Sequence, residues 1–232
     1  MVDIENPGAA QWIPLQENGE DELEIVNSGS EPSMPSKGQD LLSAVTLGLA
    51  DYCGKSGIKK IVLGMSGGID SAVCAAIACQ AVGAENVLGL AMPSRHSSDH
   101  SIEDAKATAE ALGMELQILP INEIHESVDE SLQNELDAGH PVAKENLQAR
   151  IRGTLVMEAA NARGAMAIAT GNKSELAMDY CTLYGDMNGG YAPLGDLYKT
   201  EVSEVAHAIN ENATGDPPIT ESPIKKPPSA EL

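Results

Sequence analysis

The segment Gly64-Met65-Ser66-Gly67-Gly68-Ile69-Asp70-Ser71 decides the fold. It follows the apolar run Ile61-Val62-Leu63, which reads as a short buried strand. Two adjacent glycines let the backbone curl so that several N–H groups point into one concavity. Residues 71–82 are Ala-rich and read as a buried helix, whose N-terminus adds a positive dipole end at the same place. Strand, Ser/Gly turn and helix start together make an anion site suited to phosphate.

The residues after the second glycine narrow the chemistry. A Walker loop places Lys and then Ser or Thr there; here stand Ile69, Asp70 and Ser71. A carboxylate beside bound phosphates is repelled unless a divalent cation lies between them, so Asp70 implies Mg²⁺ bound with the phosphates. The string Ser-Gly-Gly-x-Asp-Ser resembles the pyrophosphate loop of the ATP pyrophosphatases, which cleave ATP between its α and β phosphates. A plain Gly-rich strand–helix turn is the alternative.

Composition bounds the rest. A chain of 232 residues holds one sizeable α/β domain with a real core. A net charge of −21 argues against nucleic acid and anionic membranes as partners. It does not forbid a nucleotide, because a local nest with Mg²⁺ outweighs a screened global charge. No apolar run approaches a membrane span, and no signal-peptide pattern opens the chain. Cys53, Cys74, Cys79 and Cys181 lack metal spacing, and Cys74 and Cys79 read as small core residues. A reducing cytoplasm is the expected setting. With no Phe, the core must be filled by Ala, Val, Ile, Leu and Met.

Residues 1–37 carry eight acidic side chains against the single Lys37 and read as a disordered tail or interdomain linker. From residue 38 the pattern is regular. Helices are expected over 41–53, 71–82, 102–112, 122–136, 142–163, 173–179 and 199–210. Strands are expected over 58–63, 86–92, 114–121 and 165–169. This alternation predicts a Rossmann-like α/β fold, a parallel sheet with helices on both faces. Ligands then bind beyond the carboxyl ends of the strands, which puts the Gly64 loop, Pro93 and Thr170 on one rim. The Pro-rich stretch 216–232 ends without a closing helix.

Three further motifs carry chemistry. Thr170-Gly171-Asn172-Lys173-Ser174-Glu175 packs a hydroxyl, a glycine and a carboxylate into one strand-end turn, and Glu175 could share Mg²⁺ with Asp70. The alternative is a Glu favoured by a helix dipole. Asn146, Arg150 and Gly153 share a face of the 142–163 helix, where Arg150 and Arg152 suit a carboxylate or phosphate unless they form a surface pair. Lys199 at a helix start opposes the dipole and so needs an anionic partner, a phosphate or a carboxylate. His96 and His100 have no third ligand in the pattern and read as loop residues.

Taken together, 63–71, Met92-Pro93-Ser94-Arg95, 145–152, 170–175, 180–190, Lys199-Thr200 and 226–232 resemble the synthetase domain of the NAD synthetases, in family order over 40–232. Residues 47–52 and 92–95 look more like the glutamine-dependent branch. The resemblance implies an adenine nucleotide alpha hydrolase-like fold of the N-type ATP pyrophosphatases. It implies a ligase that amidates deamido-NAD with ATP and ammonia, giving NAD, AMP and pyrophosphate through an adenylate. It places ATP on Gly64, Met65, Ser66, Gly67, Gly68, Ile69, Asp70, Ser71, Thr170, Lys199 and Ser229. It places deamido-NAD on Asn146, Arg150 and Glu175, and Mg²⁺ on Asp70 and Glu175, with Asp70 and Lys199 as the catalytic pair. A homodimer is implied, as is a glutaminase domain supplying ammonia. No such domain stands in 1–37, and the family continues beyond residue 232, so the expected organisation is a tail over 1–37 and an incomplete synthetase domain over 38–232. Leu183 replaces a substrate-binding Lys of the ammonia-only branch, and Asp179 stands where glycine is usual. A nucleotide-binding fragment without turnover and a GMP synthetase-like enzyme are the competing readings.

Overall fold

The computed structural model describes residues 35–95, 97–139 and 142–225. Its frame is a four-stranded parallel sheet of β1 (Ile61–Gly64), β2 (Val87–Ala91), β3 (Glu115–Ile118) and β4 (Met166–Ile168), in the order β3-β2-β1-β4. The chain steps outward from β1 to β3 and then returns to the other side of β1. The strand order therefore reverses between β1 and β4, the crevice where open α/β sheets bind ligands.

Side chains alternate cleanly across the sheet. Ile61, Leu63, Val87, Ala91, Met166 and Ile168 point into one core, while Val62, Leu88, Leu90 and Ala167 point into the other. The first core is closed by α1 (Lys37–Ser56), α2 (Ile69–Val82), α3 (Asp99–Leu112) and α8 (Lys199–Glu211). The second is closed chiefly by the long α6 (Val142–Arg163), with α4 (Asn122–Ser131) beside it. Both faces are covered, as the alternating sequence predicts.

Helix α2 is buried almost all round, because α1 and α8 pack over its outer side. Small residues make that possible: Ala72, Ala75, Ala76 and Ala78 are all inaccessible. Cys74 belongs to the same buried run, whereas Cys79 is half-buried at its end. Burial raises both thiols, Cys79 to about 12. Where α1 crosses α8, a Cβ on Gly38 would lie 2.5 Å from the Glu204 carbonyl oxygen, so only glycine fits the crossing.

Several boundaries differ from the sequence expectation. The strand expected from 58 begins at Ile61, since the Ile58 N–H is spent on the Cys53 carbonyl (2.9 Å) at the exit from α1. The helix expected over 71–82 starts two residues earlier, which puts Asp70 in its first turn. The strand expected over 114–121 shrinks to β3, because Pro120 cannot donate to a ladder. The helix expected over 122–136 breaks at Leu132 (φ −114°, ψ 18°) into α4 and α5 (Gln133–Ala138). The short helix α7 spans Lys173–Ala177, and α9 spans Glu221–Lys225. Nearly all of the acidic 1–37 segment lies outside the described residues.

Candidate active site

The Gly64 loop leaves the carboxyl end of β1 and turns at once into α2. Its path is fixed by backbone chemistry. The Met65 N–H extends the β2 pairing to the Leu90 carbonyl (2.8 Å). Gly67 adopts φ 79°, and a Cβ there would stand 2.1 Å from the Ser101 carbonyl oxygen of α3. Gly68 is the N-cap of α2, and the first helical bond closes from the Ala72 N–H to the Gly68 carbonyl. The N–H groups of Ile69, Asp70 and Ser71 thus lie ahead of the helical ladder, at its positive end.

Hydroxyls tie the loop together. Ser71 Oγ donates to the Gly68 carbonyl (3.0 Å) and lies 3.2 Å from Ser66 Oγ, which accepts the Gly68 N–H (3.2 Å). The side chains of Met65 and Ile69 are buried in the core, so these two residues can meet a ligand only through their main chain.

Across the switch point, β4 ends at Ile168 and the chain runs through half-buried Thr170 to Asn172, the N-cap of α7. Asn172 is buried. Its Oδ1 accepts the Glu175 N–H (3.1 Å), and its own N–H donates to Glu175 Oε2 (2.9 Å), a closed capping box. Its Nδ2 donates to Asp70 Oδ1 (3.1 Å). Lys199, first residue of α8, pairs through Nζ with Asp70 Oδ2, and its N–H donates to Ser174 Oγ (3.0 Å). The anionic partner expected for Lys199 is therefore a carboxylate of this chain. Asp70, Asn172, Glu175 and Lys199 form one partly buried cluster at the sheet's switch point.

Glu175 is held above the ordinary carboxylate range, first by burial, with the Asn172 N–H opposing and the negative charge of Asp70 adding to it. Asp70 and Glu175, each hydrogen-bonded to Asn172, bring hard oxygen donors to one place, with Asp70 Oδ2 also paired to Lys199. Among the described residues no group of three His, Cys, Asp or Glu is placed to hold a metal. A cation held by two carboxylates and completed by phosphate oxygens and water is the usual habit of Mg²⁺, so the residues present fit that ion.

Asn146 and Arg150 form a second group. Asn146 Oδ1 accepts from Thr182 Oγ1 (2.8 Å), and Arg150 Nε donates to the Leu183 carbonyl (3.3 Å). They brace the loop after α7, in which Asp186 Oδ1 accepts the Thr182 N–H (2.7 Å). This loop packs closely: a Cβ on Gly153 would meet the Gly185 carbonyl oxygen at 2.6 Å, and one on Gly189 would meet the Ala169 nitrogen at 2.5 Å. Asp179 takes φ 55°, which explains why glycine suits that position. Arg152 has a structural tie, donating through Nε to the Met92 carbonyl (3.1 Å). Arg95 Nη2 lies 3.4 Å from buried His125 Nδ1, fixing the same rim loop to α4. His100 faces Glu103 at 3.6 Å, while His96 and Ser229 lie outside the described residues.

Sequence reasoning missed Asn172, although Asn-x-x-Glu at 172–175 is a readable capping-box signature.

The NAD synthase family matches residues 41–232. The chain is 53% identical over 195 residues to the glutamine-dependent NAD(+) synthetase of Synechocystis, covering 84% of this chain and 34% of that protein. It thus spans about a third of the length of that relative. Its structure is similar to the glutamine-dependent NAD+ synthetase of Acinetobacter baumannii in complex with ADP, at TM-score 0.81 and 41% identity, covering 85% of this chain and 37% of the other. It also resembles the NMN synthetase of Francisella tularensis, at TM-score 0.74 and 28% identity, covering 84% and 76%. The chain belongs to the NAD synthase family.

Proposed function

We propose that this chain carries the adenylating amidation of deamido-NAD to NAD. The observation that carries it is the cluster of Asp70, Asn172, Glu175 and Lys199 where the phosphate loop meets the end of β4. Walker chemistry grips phosphate with a loop lysine. Here the lysine arrives from α8 and a carboxylate stands in the helix's first turn. That arrangement suits pyrophosphate as the leaving group better than simple hydrolysis at the γ-phosphate.

In this reading the main chain of 64–71, with the hydroxyls of Ser66 and Ser71, holds the β and γ phosphates at the start of α2. Thr170 meets the nucleotide, and Ser229 is assigned to it from the family resemblance alone. Asn146, Arg150 and Glu175 hold deamido-NAD. Asp70 and Glu175 would hold Mg²⁺, which supplies positive charge to the phosphate oxygens. A nicotinate carboxylate oxygen forms a bond to the α-phosphorus, and the bond to pyrophosphate breaks. Ammonia then forms the amide C–N bond, and AMP departs with the carboxylate oxygen. The two substrates supply both nucleophiles, so the protein's task is positioning and charge stabilisation. Lys199 contributes a cation beside the phosphates.

Partners follow from the same reading. A glutaminase domain would furnish ammonia, as the names of the relatives suggest. Leu176, Met178, Tyr180, Leu183 and Tyr184 are exposed along one stretch, an apolar surface that supports a homodimer. Sedimentation at twice the chain mass is the expected result, and a monomer at micromolar concentration contradicts it. The setting proposed is the cytoplasm; no helix among the described residues is long and apolar enough to cross a membrane.

The test incubates the chain with ATP, Mg²⁺, ammonium and either deamido-NAD or nicotinic acid mononucleotide. Pyrophosphate and NAD in equal amounts, only with deamido-NAD, is the expected outcome. Preference for the mononucleotide would favour the activity named for the Francisella relative. Asp70→Asn should lower turnover by more than about 100-fold while the protein stays folded. Nucleotide binding without pyrophosphate release contradicts the proposal.

A further inference from the structure

Asn172 makes a second side-chain bond that its helix cap does not explain. It lies at the end of β4, 1% exposed, with every polar group of its side chain engaged. Capping α7 requires only an acceptor, Oδ1, for the Glu175 N–H. The other end of the amide, Nδ2, crosses to Asp70 on a different element 102 residues away. That bond contributes nothing to α7.

The residue type is informative. Ser, Thr, Asp and Asn all cap helices well. Asp offers only acceptors and would set a third negative charge against Asp70 and Glu175. Ser and Thr carry one short hydroxyl, too short to reach both partners. Asn alone presents an acceptor and a donor on separate atoms of one rigid plane. Its main-chain N–H also holds Glu175 Oε2 (2.9 Å). One buried residue therefore fixes one oxygen of each carboxylate, while Lys199 meets the remaining oxygen of Asp70.

We propose, resting on the ligase reading above, that Asn172 is a positioning residue for the cation centre: its amide sets the aim of Asp70 relative to Glu175, and through it the affinity of the pair for Mg²⁺. Hydrogen bonds that orient metal-binding carboxylates typically govern affinity by one to two orders of magnitude, on the order of 10- to 100-fold.

The experiment compares the full chain with Asn172→Ser and Asn172→Ala. Mn²⁺ is titrated against each beside a non-hydrolysable ATP analogue, with free Mn²⁺ read by electron paramagnetic resonance, and each protein is melted thermally. Serine retains the cap but does not reach Asp70; alanine removes both. The expected result is a loss of about tenfold in Mn²⁺ affinity in both variants, with the serine protein melting close to wild type and the alanine protein below it. Asn172→Thr carries the same comparison should the serine protein not fold. Mn²⁺ affinity in the serine or threonine protein within twofold of wild type overturns the proposal. So does an affinity that falls only in step with melting temperature. Failure of the ligase reading looks different: wild type binds Mn²⁺ with the analogue yet releases no pyrophosphate, and the titration still decides Asn172. A wild-type chain that binds no Mn²⁺ with the analogue overturns both.

Discussion

At the scale of single residues the site is set by positions that tolerate one residue type. Gly67 combines φ 79° with a Cβ position 2.1 Å from the Ser101 carbonyl oxygen. Gly67→Ala must move the phosphate loop away from α3, at a cost of about 2 kcal/mol or more in unfolding free energy. Urea denaturation measures it; a change under about 0.5 kcal/mol would show that the loop does not need this contact. The need for glycine in that turn was legible in the sequence, because adjacent glycines before a helix signal a backbone nest. Its contact with Ser101 was not, since it joins residues from separate βα units. Lys199 follows the same pattern. Its place at a helix start called for an anionic partner, but only the fold brings Asp70 to it across 129 residues. Asn172 had a local signature in its capping box, while its bond to Asp70 is again a product of the fold.

At the scale of elements, the sheet was legible because short runs such as Ile61-Val62-Leu63 and 87–91 alternate with longer helical segments at regular spacing. What the sequence hid were ends and breaks. Leu132 interrupts a helix in a stretch that contains neither Gly nor Pro, so no local breaker marks it. In the sequence, residues 180–190 stand out only as a family motif with no expected element. In the structure this loop turns back along β4, where the Gly190 N–H donates to the Ala167 carbonyl (2.8 Å) and the Ala169 N–H to the Tyr191 carbonyl (2.9 Å). The loop's turn depends on Asp179 at φ 55°. Asp is tolerated there better than most residues. Asp179→Gly should therefore change stability by less than about 0.5 kcal/mol, whereas Asp179→Val should cost about 1–2 kcal/mol. Thermal melts of the two variants check this, and a valine variant as stable as the glycine variant would contradict the strained turn.

At the scale of the whole molecule, the chain carries a net charge of −21 while its site is proposed for an anionic nucleotide. The nest, Lys199 and the cation act within a few ångströms, while the remaining charge repels at long range and is screened by salt. The ATP association rate should therefore rise about two- to threefold as ionic strength goes from about 0.01 M to 0.15 M. Stopped-flow mixing measures it, and a rate that falls with salt would place the net attraction elsewhere. The fold brings Asp70, Asn172, Glu175 and Lys199 together at the switch between β1 and β4, where adenylation of a carboxylate is proposed. Deamido-NAD labelled with ¹⁸O in its nicotinate carboxylate tests that claim most directly. One labelled oxygen in AMP and none in pyrophosphate is the predicted result; unlabelled AMP, or ADP and phosphate as the products, would contradict it.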